Sequence, residues 1–167
     1  DFAFPDQKHK MFADKFNAAH ENTIHVIGNH EFDFNLTRED CFKAWGIDSA
    51  YYRRDLDYLR LLVLDGNETG SPTQSGYPSY IGEMQQGWLE AELKAADRPV
   101  LILSHQPLAG PSAIQNATEI QELFTSYREK ILLCLNGHSH VDSLLQVDGV
   151  NYLHINSASY YWVGGET

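Results

Sequence analysis

Four histidines and one asparagine stand directly after short apolar runs. Residues 24–27 lead into Gly28-Asn29-His30-Glu31, residues 101–104 into His105, and residues 133–136 into Gly137-His138-Ser139-His140. Imidazole suits Zn, Fe and Mn, and a carboxamide oxygen adds a hard donor without charge, so the chemistry this set offers is a divalent-cation cage. His138 and His140 are two positions apart. In extended or turn backbone both rings face one side, each reaching a different ion of a close pair, whereas a helix would splay them. Gly28 and Gly137 suit a sharp exit from a strand and a close approach of the backbone to an ion. A lone histidine at such a place is more often a hydrogen-bonded core or surface residue, and His9, His20, His25 and His154 are read that way. On this chain's composition, a G-N-H-[D/E] string and a G-H-x-H string co-occur by accident in about one case in ten thousand.

These residues meet only if the apolar runs before them lie side by side. The runs at 24–27, 59–64, 100–103 and 131–135 have the length of buried strands. Ligands gather at the carboxyl ends of such strands, where neighbouring chains deliver side chains to one crevice. Between them, Met84, Trp88, Ala91 and Ala95 recur at helical spacing, as do Ile120, Leu123, Phe124 and Tyr127, and Met11, Phe12, Phe16 and Ala19. Thr37 followed by Asp40 resembles a capping box and starts a short helix near Arg38. Asp148-Gly149 lies between two apolar runs and predicts a tight hairpin. A loop rich in Gly, Pro and Ser, from Gly70 to Pro78, reads as a surface excursion. Strand and helix alternate and antiparallel strands close the chain, so the class is mixed α/β in a single domain spanning 1–167.

The 167 residues suffice for one core, and 43% hydrophobic content is that of a folded protein. With 12 Lys and Arg against 23 Asp and Glu, the net charge of −11 repels phosphate backbones and anionic membranes, which excludes nucleic-acid coating. An anionic substrate therefore needs a compact source of positive charge, and a metal ion is the most compact. No window is long and apolar enough for a membrane span. Cys41 and Cys134 lack C-x-x-C spacing and read as buried thiols. Three Asn-x-Thr triplets begin at Asn35, Asn67 and Asn116, against about one expected by chance. The residues set no compartment.

The motifs resemble those of the calcineurin-like metallophosphoesterases, in which G-D-x-x-D, G-N-H-[D/E], a lone His after a strand, and G-H-x-H follow in that order. The last three span Gly28 to His140, and the stretch from Gln86 to Leu93 resembles the helix such enzymes carry before the lone-His strand. The resemblance implies a mixed β-sandwich flanked by helices in αββα layers. It implies two divalent ions (Mn, Fe or Zn), with Asn29, His105 and His138 on one and His140 on the other. His30 would stand at the substrate phosphate as the proton donor or charge stabiliser, with Glu31 a candidate to orient its ring. Asp1 precedes Asn29 by the family's usual interval and would be the bridging ligand, while Phe4 occupies the place of the second Asp of G-D-x-x-D. No D-x-H precedes it, so the chain reads as the larger, carboxy-terminal part of such an enzyme, lacking the amino-terminal strand or strands. One ion or none is the expected stoichiometry for this stretch.

The implied activity is hydrolysis of small phosphomonoesters or phosphodiesters through a dinuclear centre and a metal-activated hydroxide. A cyclic-nucleotide phosphodiesterase and a non-catalytic metal-binding or interaction module are the alternatives. The aromatic segment from Asn156 to Trp162 reads as core or edge packing rather than a stacking platform, and Asp65 to Glu68 as a loop.

Overall fold

The computed structural model describes residues 4–6, 8–70 and 76–157. Its order is α1 (Lys10–Ala19), a 3-10 turn (His30–Asn35), α2 (Arg38–Trp45), β1 (Tyr52–Asp55), β2 (Arg60–Leu64), α3 (Glu83–Ala95), β3 (Val100–Ser104), α4 (Ala117–Ser126), β4 (Ile131–Asn136), β5 (Ser143–Val147) and β6 (Val150–His154). The strands form one six-stranded sheet in the order β1-β2-β3-β4-β6-β5. β2, β3, β4 and β6 run parallel, and β1 and β5 pair antiparallel at the two edges. This is the expected mixed α/β architecture with flanking helices. All the described strands belong to that one sheet, so a second sheet of a sandwich is not among the described residues.

Register explains where the core sits. Leu62, Ile102, Cys134 and Tyr152 lie in one row across four parallel strands, and Leu64, Ser104, Asn136 and His154 in the next row on the same face. Against this face pack Leu89 and Leu93 of α3 and Ile120 and Phe124 of α4, all fully buried. The opposite face carries Leu101, Leu103, Leu133, Leu135 and Leu153, each only half-buried. A smaller cluster joins Ala13 of α1, Ile27, and Cys41, Ala44 and Trp45 of α2. Both cysteines are buried free thiols, as expected, and burial raises Cys41 to about 12.

Local chemistry sets the helix ends. The capping box is present: the Thr37 side chain accepts from the Asp40 N–H while the Asp40 carboxylate accepts from the Thr37 N–H at 2.9 Å. At the far end of α3, Lys130 Nζ donates to the carbonyls of Leu93 (3.0 Å), Lys94 (2.8 Å) and Ala96 (3.0 Å), a cation placed on the negative end of the helix. Replacing Lys130 with Ala should lower the free energy of unfolding by about 1 kcal/mol, read as a shift of the urea midpoint without a change in slope. The Asp148-Gly149 hairpin forms with φ of 48° and 87°, the pair of positive angles that a type I′ turn requires.

Three expectations need correcting. Among the described residues, 24–27 join no ladder, because side chains take up their backbone groups: the Tyr52 hydroxyl accepts from the His25 N–H at 3.1 Å and donates to the His25 carbonyl at 2.7 Å. The apolar content of that segment is buried against α1 and α2 rather than within a sheet. Helix α3 is rotated from the expected face, with Met84 84% exposed and Gln85 fully buried. Gln85 occupies the core because its amide is fully used: it accepts from the Asp65 N–H and donates to the Asp65 carbonyl and to Glu68. Helix α1 likewise buries Ala13 and exposes Met11, Phe12 and Phe16. No helix among the described residues is long and apolar enough to cross a membrane.

Candidate metal centre

The ends of β3 and β4 and the turn after residue 28 meet at one rim. His105 follows β3, His138 follows β4 through Gly137, and Asn29 opens the 3-10 turn. Asn29 Oδ1 lies 3.0 Å from His105 Nε2 and 2.9 Å from His138 Nδ1, and the two ring nitrogens are 3.2 Å apart. Three donor-capable atoms thus form a nearly equilateral triangle. With each ring in the tautomer that leaves these nitrogens unprotonated, three lone pairs converge. Bonds of ~2.1 Å to a divalent ion place neighbouring ligand atoms about 3.0 Å apart in an octahedral shell and about 3.4 Å apart in a tetrahedral one. The observed edges match that spacing, so the residues present fit a cation.

Electrostatics favour the ligating form of both rings. Burial first, and then nearby positive charge, that of His138, His30 and His140 included, hold His105 at about 2. Burial first, and then the charges of His140 and His30, depress His138. Among the described residues no group of three His, Cys, Asp or Glu side chains is gathered as a cage. The triangle contains two such residues, and its third corner is an amide. His140 lies near enough to act on both rings by charge, and Asp1 lies outside the described residues.

Backbone strain concentrates here. His138 and His140 have φ of 66° and 53°, in the left-handed region that non-glycine residues seldom adopt. Gly28 and Gly137, the residues expected to allow a sharp strand exit, have no positive φ, and a Cβ on Gly137 would make only ordinary contact with the His105 ring and carbonyl. Strain of order 1 kcal/mol at each histidine is tolerated where the surrounding fold fixes the loop. Here Gly137 N–H donates to the His105 carbonyl at 3.1 Å, tying the two ligand-bearing loops together.

The whole rim matches a known family. The family model described as calcineurin-like phosphoesterase fits residues 3–142. The chain belongs to the calcineurin-like phosphoesterases. That match covers the four helices, β1 to β4 and every residue of the triangle, and it supports hydrolysis of phosphoester bonds as the general chemistry. No curated protein matches the chain significantly.

Within this phosphoesterase fold, His30 stands beside the triangle with a carboxylate of its own. Its Nδ1 is 2.9 Å from Asp33 Oδ2, and the Tyr77 hydroxyl donates to Asp33 Oδ1 at 2.7 Å and lies 3.2 Å from His30 Nδ1. The hydrogen bond from His30 lowers the Asp33 carboxyl against the opposing cost of burial, and a further bond from Tyr77 adds to the lowering, so Asp33 stays ionised. The same contact raises Tyr77, which stays protonated. Glu31, the expected orienting group, turns inward instead: it is buried and accepts from the Gly28 N–H at 2.8 Å. Asp33 and Tyr77 were not anticipated. The only signal in the sequence was an acid three places after His30, and Phe34 and Asn35, at φ of 58° and 64°, create the bend that follows it.

A buried network supports the rim from behind. Arg38 donates to Asp65 at 2.8 Å and to the Asn67 carbonyl at 2.8 Å, Asn67 donates to the Ile27 carbonyl at 3.2 Å, and Gln106 donates to Asn67. The segment read as a plain loop therefore locks the Asn29 turn onto the ends of β2 and β3. Residues 158–162 of the aromatic segment lie outside the described residues.

Proposed function

We propose that this chain carries the larger part of a metal-dependent phosphoesterase site acting on small phosphomonoesters or phosphodiesters, with a dinuclear centre in the complete enzyme. The observation that carries the reading is the triangle of Asn29 Oδ1, His105 Nε2 and His138 Nδ1. These three residues would hold one divalent ion, and His140 with Asp1 would serve a second. When bound, such ions supply Lewis acidity toward the phosphoryl oxygens and the attacking water. They also supply the positive field that a chain of net charge −11 lacks.

The remaining work falls to the chain. Asp33 fixes the His30 ring through Nδ1, and Nε2 is assigned the proton donated to the leaving oxygen. Tyr77 holds the second oxygen of Asp33, so the carboxylate is anchored at both ends. His30 is half-exposed, as a group that must meet substrate should be.

The test is hydrolysis of a panel of chromogenic mono- and diesters, with cyclic AMP beside them, by the metal-depleted chain before and after loading with Mn, Fe or Zn. Turnover that appears with metal and disappears with chelator is the expected result. Metal bound without turnover on any substrate would leave a non-catalytic metal module instead.

A further inference from the structure

We infer that Asn136, the last residue of β4, is a positioning residue that clamps the backbone on which His105 stands. Its Nδ2 donates to the Ser104 carbonyl at 3.4 Å and to the Gln106 carbonyl at 3.2 Å, the carbonyls of the residues on either side of His105. One side-chain amide thereby grips the β3 exit on both sides of a ligand, while its own chain continues through Gly137 into His138. The next residue adds a third tie, from Gly137 N–H to the His105 carbonyl. The relative placement of His105 and His138 is thus held by consecutive residues of one strand end.

Packing alone gives no reason for an amide at this position. Asn136 lies 1% exposed on the sheet face that also carries Cys134, Ile102 and Phe124 contacts, and its Oδ1 has no hydrogen-bond partner among the described residues. Ser104 Oγ and His154 Nε2, in the same register row, are unpartnered as well. A buried acceptor without a partner costs stability, a cost that an apolar residue would not carry. The donor half of the amide is the half in use, and what it holds is the His105 loop. Outer residues that orient a ligand typically change metal affinity by 10- to 100-fold when removed.

The inference rests on the metal reading proposed above, and cobalt separates the two. The full 167-residue chain is titrated with Co(II) against a chromophoric chelator, recording both affinity and the visible d–d absorption. In Asn136→Leu, which keeps the branching at Cγ and removes both donors, affinity should fall ~10- to 100-fold and the absorption should change. The metal-free variant also loses the bonds to the Ser104 and Gln106 carbonyls, so its urea midpoint should fall, and a variant destabilised away from the rim supplies the control. Asn136→Ala serves as a second variant with the same expected loss. Lys130→Ala, destabilised at a distance, should bind cobalt normally. Unchanged affinity and spectrum in both Asn136 variants would overturn the clamp, as would an equal loss in Lys130→Ala. No cobalt binding by the unsubstituted chain would overturn the metal reading and the clamp with it.

Discussion

Replacing His30 with Ala in the metal-loaded enzyme is expected to lower kcat by ~10²- to 10⁴-fold, the range for loss of a positioned proton donor, while metal content stays at its original level. The two halves of that expectation come from different parts of the site. His30 sits outside the triangle, half-exposed, and its Nδ1 faces Asp33 and Tyr77. Asn29, next to it in sequence, faces His105 and His138. Removing the imidazole therefore removes a proton donor without removing a ligand. Asp33→Asn should give a smaller loss of kcat, because the ring remains but its fixed tautomer and orientation do not. Elemental analysis beside steady-state kinetics checks both variants. Loss of metal in His30→Ala would make His30 a ligand, and full turnover would end its role as the donor.

The sequence legible in this fold is the part where burial on both faces forces a continuous apolar run. β2, β3 and β4 were readable for that reason, and the ligand residues at their ends came with them. The hairpin and the start of α2 were readable because Asp148-Gly149 and Thr37-Asp40 carry their own backbone instructions. β1 was not readable. Tyr52–Asp55 is an edge strand with three of its four residues exposed, so it has no apolar period to detect. Residues 24–27 misled for the opposite reason, since an apolar run reports burial and not the partner that buries it. The α3 face was misjudged because a fully bonded Gln85 takes the core position that Met84 was expected to fill. Asp33 reaches His30 only through a bend of the 3-10 turn, and Tyr77 approaches from a loop 44 residues on. Neither long-range closure nor positive φ at Phe34 has a sequence period.

Saturating divalent metal should raise the stability of the chain by roughly 3–4 kcal/mol when free metal exceeds its dissociation constant by 100- to 1,000-fold, and His105→Ala should abolish that increment. The argument is linkage: an ion that binds the triangle binds three chain segments at once, and no such triangle exists when they are apart. His105 is the corner whose loss matters most, being 9% exposed, hydrogen-bonded toward both other corners and held neutral by burial. The quantity to read is the difference between urea midpoints with and without metal, not either midpoint alone. The truncation also opens a cavity that destabilises the metal-free chain by itself. Subtracting within each variant cancels that cost. An increment that survives in His105→Ala would locate the ion elsewhere, and with it the phosphoester chemistry assigned to this rim.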